Sequence, residues 1–225
     1  MDNIEQLIDQ HILPFIAKRT ADLLCNDQAG LKNCKWQDNE SNPDTDFSNL
    51  SRDKCTKALQ EIMSTLKKEI KIQIETPDLL ITFNDVYERR IELKSTKSSN
   101  GKMPGSTIGK KDWNEWVIFC HRSDNLNDFF EVRYGRYYEG LKPSNYELFQ
   151  DRTPRPSLNF NQFHKPEYSE LIPKIEKQED FYKNYATCAI NRVLGTPPNK
   201  SWQDDLVKEI IKIVKNNPED FNQIE

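Results

Sequence analysis

Asp78, Glu92 and Lys94 are the residues of this chain whose types and spacing could do chemistry, with Leu93 between the last two. Two carboxylates and a backbone carbonyl are enough to hold Mg²⁺, a hard cation that prefers oxygen donors and keeps waters in its remaining positions. A cation held that way can activate water, neutralise charge on a phosphate and help a departing oxygen, the three requirements of phosphodiester hydrolysis near neutral pH. Asp78 and Glu92 supply the carboxylates, and the Leu93 carbonyl is a natural further ligand. A lysine beside them, Lys94, could orient and polarise the attacking water or stabilise the developing charge.

The elements that must bring these residues together are two short strands. Leu79–Phe83 is a run of apolar and β-branched residues just after Pro77-Asp78, and Asn84-Asp85 supplies turn chemistry. The second strand, Val86–Lys94, alternates. Tyr87, Arg89, Ile91 and Leu93 point one way, and Glu88, Arg90, Glu92 and Lys94 the other. Folding the hairpin back about residues 84–86 places Asp78 opposite position 91 or 92. The two acids and the lysine then meet at one end of a small sheet.

Charge follows the same stretch. The whole chain of 225 residues carries a formal net charge of −4, which argues against a protein that coats nucleic acid indiscriminately. Locally the balance reverses: from Arg89 to Lys111 there are seven basic residues against one acid, Glu92. Lys97, Lys102, Lys110 and Lys111 follow the active strand and are placed to hold a DNA backbone. Cys25, Cys34, Cys55, Cys120 and Cys188 are widely spaced, and with only three histidines they predict free thiols in a reducing cytosol rather than a zinc cluster. Mean hydropathy is −0.84, no apolar run approaches the roughly 20 residues of a membrane span, and no signal peptide is visible. The expected location is cytoplasmic.

Along the chain, apolar spacing predicts a helix over residues 2–24 divided near Pro14, then an irregular segment from Asp27 to Asn49 pinned by Trp36 and Phe47. A second helix is expected from about Ser51, as its cap, to Glu69. Ile70–Ile74, Trp116–His121 and Phe129–Tyr138 read as further strands, the second of them central. In that strand Cys120 faces the core and His121 the surface. Residues 139–173 form Pro-, Asn- and aromatic-rich loops, and helices follow over about 177–194 and 202–216. The fold expected is mixed α/β, a mixed central β-sheet flanked by helices, in a single domain 1–225 with its catalytic core over about 50–135.

Pro77-Asp78 and Glu92-Leu93-Lys94, with thirteen residues between the two acids, resemble the signature of the PD-(D/E)XK nuclease superfamily. The resemblance implies a restriction-endonuclease-like fold, Asp78, Glu92 and Lys94 as catalytic residues, and Mg²⁺ as cofactor. Some members add an acid from the preceding helix, for which Glu61 and Glu69 are both candidates. Within the superfamily the chain looks like a type II restriction endonuclease cutting double-stranded DNA as a homodimer, with a cognate DNA methyltransferase as genetic partner. Arg152 and Arg155, in the stiff Asp151–Pro156 stretch, suit bidentate contacts with guanine or phosphate, and Asn159, Asn161 and Gln162 offer amides that can read adenine. Two other readings stand beside it. One is a repair or recombination nuclease that reads DNA structure; the other is a non-catalytic binding module whose carboxylates are surface charges.

Overall fold

The computed structural model describes residues 4–36, 45–66, 71–76, 78–105, 112–122, 129–142, 157–175 and 202–217, with a few positions between 180 and 190. They fall into two compact units, the first drawn from segments Met1–Met103, Asp112–Gly140 and Asn159–Lys174, the second from Pro104–Lys111, Leu141–Leu158 and Ile175–Glu225.

The first unit opens with α1 (Ile4–Leu7), a π-helical turn (Ile8–Ile12) and α2 (Leu13–Cys25). Pro14 lies in the first turn of α2, where a missing N–H costs no intrahelical bond. The division expected there is a π segment that widens the turn ahead of the proline. Asp27 then starts α3 (Gln28–Asn33), its side chain accepting from the Gly30 amide at 2.9 Å. The segment read as irregular therefore contains a short helix. Its polar residues are a cap and a solvated helix face, with Leu31 alone buried. Trp36 and Phe47 do pin the segment, with ring centroids 5.2 Å apart, and Trp36 also stacks on Phe130 at 5.8 Å. α4 runs Thr45–Leu66, so Ser51 is buried within the helix rather than capping it.

Five strands form one sheet in the order β1 (Ile72–Glu75), β2 (Leu79–Phe83), β3 (Tyr87–Thr96), β5 (Trp116–His121), β6 (Glu131–Arg136), with the short β4 (Lys102–Pro104) lying in the β3–β5 connection. β1, β2 and β3 form an antiparallel meander, β3 and β5 are parallel, and β6 returns antiparallel to β5. Every residue of β5 is buried, as a central strand flanked on both edges requires. Against one face lie the helices, α2 over β5 and β6 and α4 over β1 and β2. Ile12, Ile16, Leu24, Leu59, Ile91 and Ile118 belong to that core. On the opposite face Phe119 meets Phe160 and Phe163 edge-on, at centroid distances of 5.4 and 5.8 Å. The chain is thus a mixed α/β fold, a central sheet with flanking helices.

In the second unit the two-residue strand β7 (Leu141–Lys142) pairs antiparallel with β8 (Ser157–Asn159), and a final helix, α5, spans Trp202–Asn216 as its apolar period predicts. Among the described residues no helix is long and apolar enough to cross a membrane.

Candidate active site

The hairpin that carries the three candidate residues forms where the sequence places it. Asn84 and Asp85 both take positive φ, 53° and 58°, and the Val86 amide donates to the Phe83 carbonyl at 3.1 Å. Two consecutive left-handed residues give a turn whose twist matches that of the strands. Asn84 also receives the Lys71 amide on its side chain at 3.0 Å, which ties the turn to the start of β1. Register follows: Phe83 pairs with Tyr87 and Leu79 with Ile91. One rung further, position 78 falls level with position 92.

At that end of the hairpin the backbone amide of Leu93 donates to Asp78 Oδ1 at 3.0 Å. Asp78 thereby continues the β2–β3 ladder with a side chain in place of a backbone carbonyl. In an extended strand the N–H and C=O of one residue point to the same lateral side, so the Leu93 carbonyl also faces the Asp78 side. Glu92 and Lys94, two apart on β3, share a face, and the Lys94 ammonium pairs with Glu92 Oε1. Glu92 is 3% exposed, unlike Glu88 and Arg90 on the same face of the strand, which are exposed. Its neighbour across the parallel pairing is Val117, the second residue of the buried strand β5. A carboxylate at such depth requires a cation, and Lys94 is the one the strand provides.

Just beyond Lys94, β3 ends in a structured loop. Thr96 is 8% exposed, its hydroxyl accepts from the Ser98 amide at 3.1 Å, and His121 Nε2 lies 2.9 Å from the Ser98 carbonyl. His121 is therefore largely buried against this loop, its ring tilted against Phe160, where a surface histidine was expected. The strand period placed Cys120 correctly in the core but could not see that residues 159–163 cover the opposite face. Gly101 takes φ +66°, and a Cβ there would come within 3.1 Å of Phe160 Cβ, so the loop needs glycine at that point. Sequence reasoning missed His121 and Thr96 as the residues that fix the path of the chain after Lys94. An imidazole and a hydroxyl at the adjacent ends of two strands were the available signal.

Other candidates separate. Lys97, just after β3, and Lys102, which begins β4, are exposed. Arg89 and Arg90, counted with the basic stretch, are committed elsewhere. Arg89 binds Asp9 at 2.6 Å and Glu5 at 2.9 Å, fastening the amino-terminal helical segment to β3, and Arg90 faces Glu115 at 3.7 Å. Glu61 is held in a fork by Arg19, at 2.7 and 2.9 Å, and that guanidinium keeps its carboxyl below the usual carboxylate range. A Glu61 so engaged belongs to the α2–α4 contact, not to the hairpin. Asn159 is 8% exposed and its side chain accepts from the Asn161 amide at 3.0 Å, so it caps a turn and is not presented for base reading. Asn161 and Gln162 are exposed. Glu69, Lys110, Lys111, Arg152 and Arg155 lie outside the described residues. Among the described residues, no group of three or more His, Cys, Asp or Glu side chains is gathered as a metal cluster would be. No protein-family model, curated protein or solved structure matches the chain.

Proposed function

We propose that the protein is a Mg²⁺-dependent endodeoxyribonuclease of the PD-(D/E)XK type, acting on double-stranded DNA as a type II restriction endonuclease. The observation that carries this reading is the adjacency at the end of the β2–β3 hairpin: Asp78 bonded to the Leu93 amide, and Glu92 buried beneath the Lys94 ammonium. A surface hairpin with solvated charges has no reason to bury a glutamate.

The donors on this hairpin suit Mg²⁺. They are hard oxygens from Asp78, Glu92 and the Leu93 carbonyl, and a cation, the Lys94 ammonium, already rests on Glu92. When bound, Mg²⁺ would supply Lewis acidity toward the phosphate and lower the pKa of a coordinated water. Asp78 holds its orientation through the Leu93 amide. Lys94 donates hydrogen bonds toward a water or a phosphate oxygen on the face it shares with Glu92. Lys97 and Lys102, exposed just downstream, neutralise flanking phosphates. A mixed sheet whose parallel pair, β3 and β5, is flanked by antiparallel strands suits the fold that the resemblance implies.

The test is digestion of plasmid DNA by the purified chain with Mg²⁺. Discrete fragments are expected, and Lys94→Ala should abolish them while leaving the circular dichroism spectrum unchanged. Calcium, titrated against the protein without DNA, should raise the melting temperature of the wild type but not of Glu92→Gln, since a ligand that binds only the folded state stabilises it. Full cleavage by Lys94→Ala, or a smear of random products, would rule out a site-specific enzyme of this type.

A further inference from the structure

The five-stranded sheet ends at β1, and the pairing of β1 sets which groups line that edge. The Asn84 amide donates to the Lys71 carbonyl at 2.8 Å, and the register sets Gln73 against Thr82 and Glu75 against Leu80. In an antiparallel ladder every second residue turns its N–H and C=O to the partner strand. Lys71, Gln73 and Glu75 therefore face β2, and the backbone groups of Ile72 and Ile74 face outward. Among the described residues no strand pairs with that outer edge. The side chains of Ile72 and Ile74 lie on the helix side of the sheet, as do their cross-strand partners Phe83 and Ile81 in the core. With Leu59 and Met63 of α4 they line a groove of about 410 Å³, whose charged lining residue is Arg52. Arg52 is half-exposed and reaches Asp53 at 3.8 Å, beyond hydrogen-bond distance. From Arg52 to Met63 the groove follows one face of α4 for about 16 Å, the reach of roughly five residues of extended chain.

We propose that this edge docks an extended peptide segment of another protein, which adds to β1 as a further antiparallel strand. The backbone and the groove select the same occupant. Outward N–H and C=O groups on alternate residues are matched by the backbone of another strand. A residue set opposite Ile72 or Ile74 shares their face of the sheet, so its side chain enters the groove beside Leu59 and Met63. The segment therefore carries aliphatic residues two apart, with an acid near them to meet Arg52. Its intervening residues fall on the face of Gln73 and Glu75, both exposed, and are polar. Glu92 and Lys94 lie on the other face of the sheet from the helices, so the docking stands independently of the assignment of the Asp78 site.

Fluorescence anisotropy with the full chain tests this, using a labelled, end-blocked peptide that alternates valine with threonine and carries aspartate at both ends. The wild type should bind it, and Met63→Glu should weaken binding about tenfold. Arg52→Glu should weaken it by about the same factor, and a peptide with lysine in place of the aspartates should recover that loss. Methylating the valine amides, which face β1, should abolish binding, whereas methylating the threonine amides, which face away, should preserve it. Far-UV circular dichroism checks that both variants keep their helices. A wild type that does not bind the peptide overturns the proposal. So does binding that tolerates methylated valine amides or is unchanged by Met63→Glu, or an Arg52→Glu chain that still prefers the aspartate peptide.

Discussion

The Leu93 amide donates to the Asp78 carboxylate at 3.0 Å, so the residue just before β2 is fastened to the backbone between Glu92 and Lys94. One hydrogen bond thus joins the two halves of the candidate site. It gives Asp78 two separable roles, an acceptor that fixes the hairpin end and a negative charge that chemistry would use.

Two substitutions distinguish those roles. Asp78→Asn keeps an acceptor oxygen for the Leu93 amide, and its effect on stability should stay below about 1 kcal/mol. Asp78→Ala removes the acceptor and should cost about 1–3 kcal/mol in urea unfolding. Both remove the charge, so both should lower Mg²⁺-dependent cleavage by roughly 10³-fold, the rate equivalent of about 4 kcal/mol. Cleavage by Asp78→Asn at near wild-type rate would confine Asp78 to the structural role.

In the basic stretch Lys97 and Lys102 are exposed, whereas Arg89 is tied to Asp9 and Glu5. Lys97→Ala and Lys102→Ala should each weaken DNA binding and reduce the dependence of log K on log salt by about one unit. Arg89→Ala should leave that slope unchanged. It should instead lower the melting temperature, because it releases Asp9 and Glu5 from β3. Fluorescence anisotropy with a labelled duplex in Ca²⁺, at several salt concentrations, measures the first effect and calorimetry the second.

Asp27 predicts an acid-sensitive corner of the first unit. Lys54 and the Gly30 amide hold its carboxyl below the usual carboxylate range. A depressed folded pKa adds stability that is fully present above the unfolded value, about 3.9, and is lost as pH falls through the folded value. Between pH 7 and 5 the wild type should therefore exceed Asp27→Ala by about 1–2 kcal/mol, the cost of a lost cap and its partly screened ion pair. The difference should shrink as pH falls below the unfolded value and on through the lower folded one. Gly30→Ala should also destabilise this corner, since a Cβ at Gly30 would lie within 2.7–2.9 Å of the Asp27 carboxyl atoms. Urea unfolding at a series of pH values checks both expectations.

The sequence alone determined the hairpin, because every signal for it is local. Strand alternation and the Asn84-Asp85 turn fix which residues share a face, and a turn of known length fixes register. The shared face of Lys94 and Glu92 followed from that alternation, and the helix over 202–216 from its own three-to-four-residue apolar spacing. Tertiary structure decided what lies across from each charge. Glu61 and Arg19 meet although 42 residues apart, since α2 and α4 pack together, and this removed Glu61 from the site. Arg89, counted from the sequence only in the local charge balance, is a fastening for the amino-terminal helical segment, by a contact 80 residues long. His121 and Asn159 moved from the surface into the packing of the loop and sheet. The burial of Glu92 belongs to the same class. Period says which way a side chain points, but only the parallel strand β5, drawn in from more than twenty residues downstream, brings Val117 level with Glu92 and takes its carboxylate out of water.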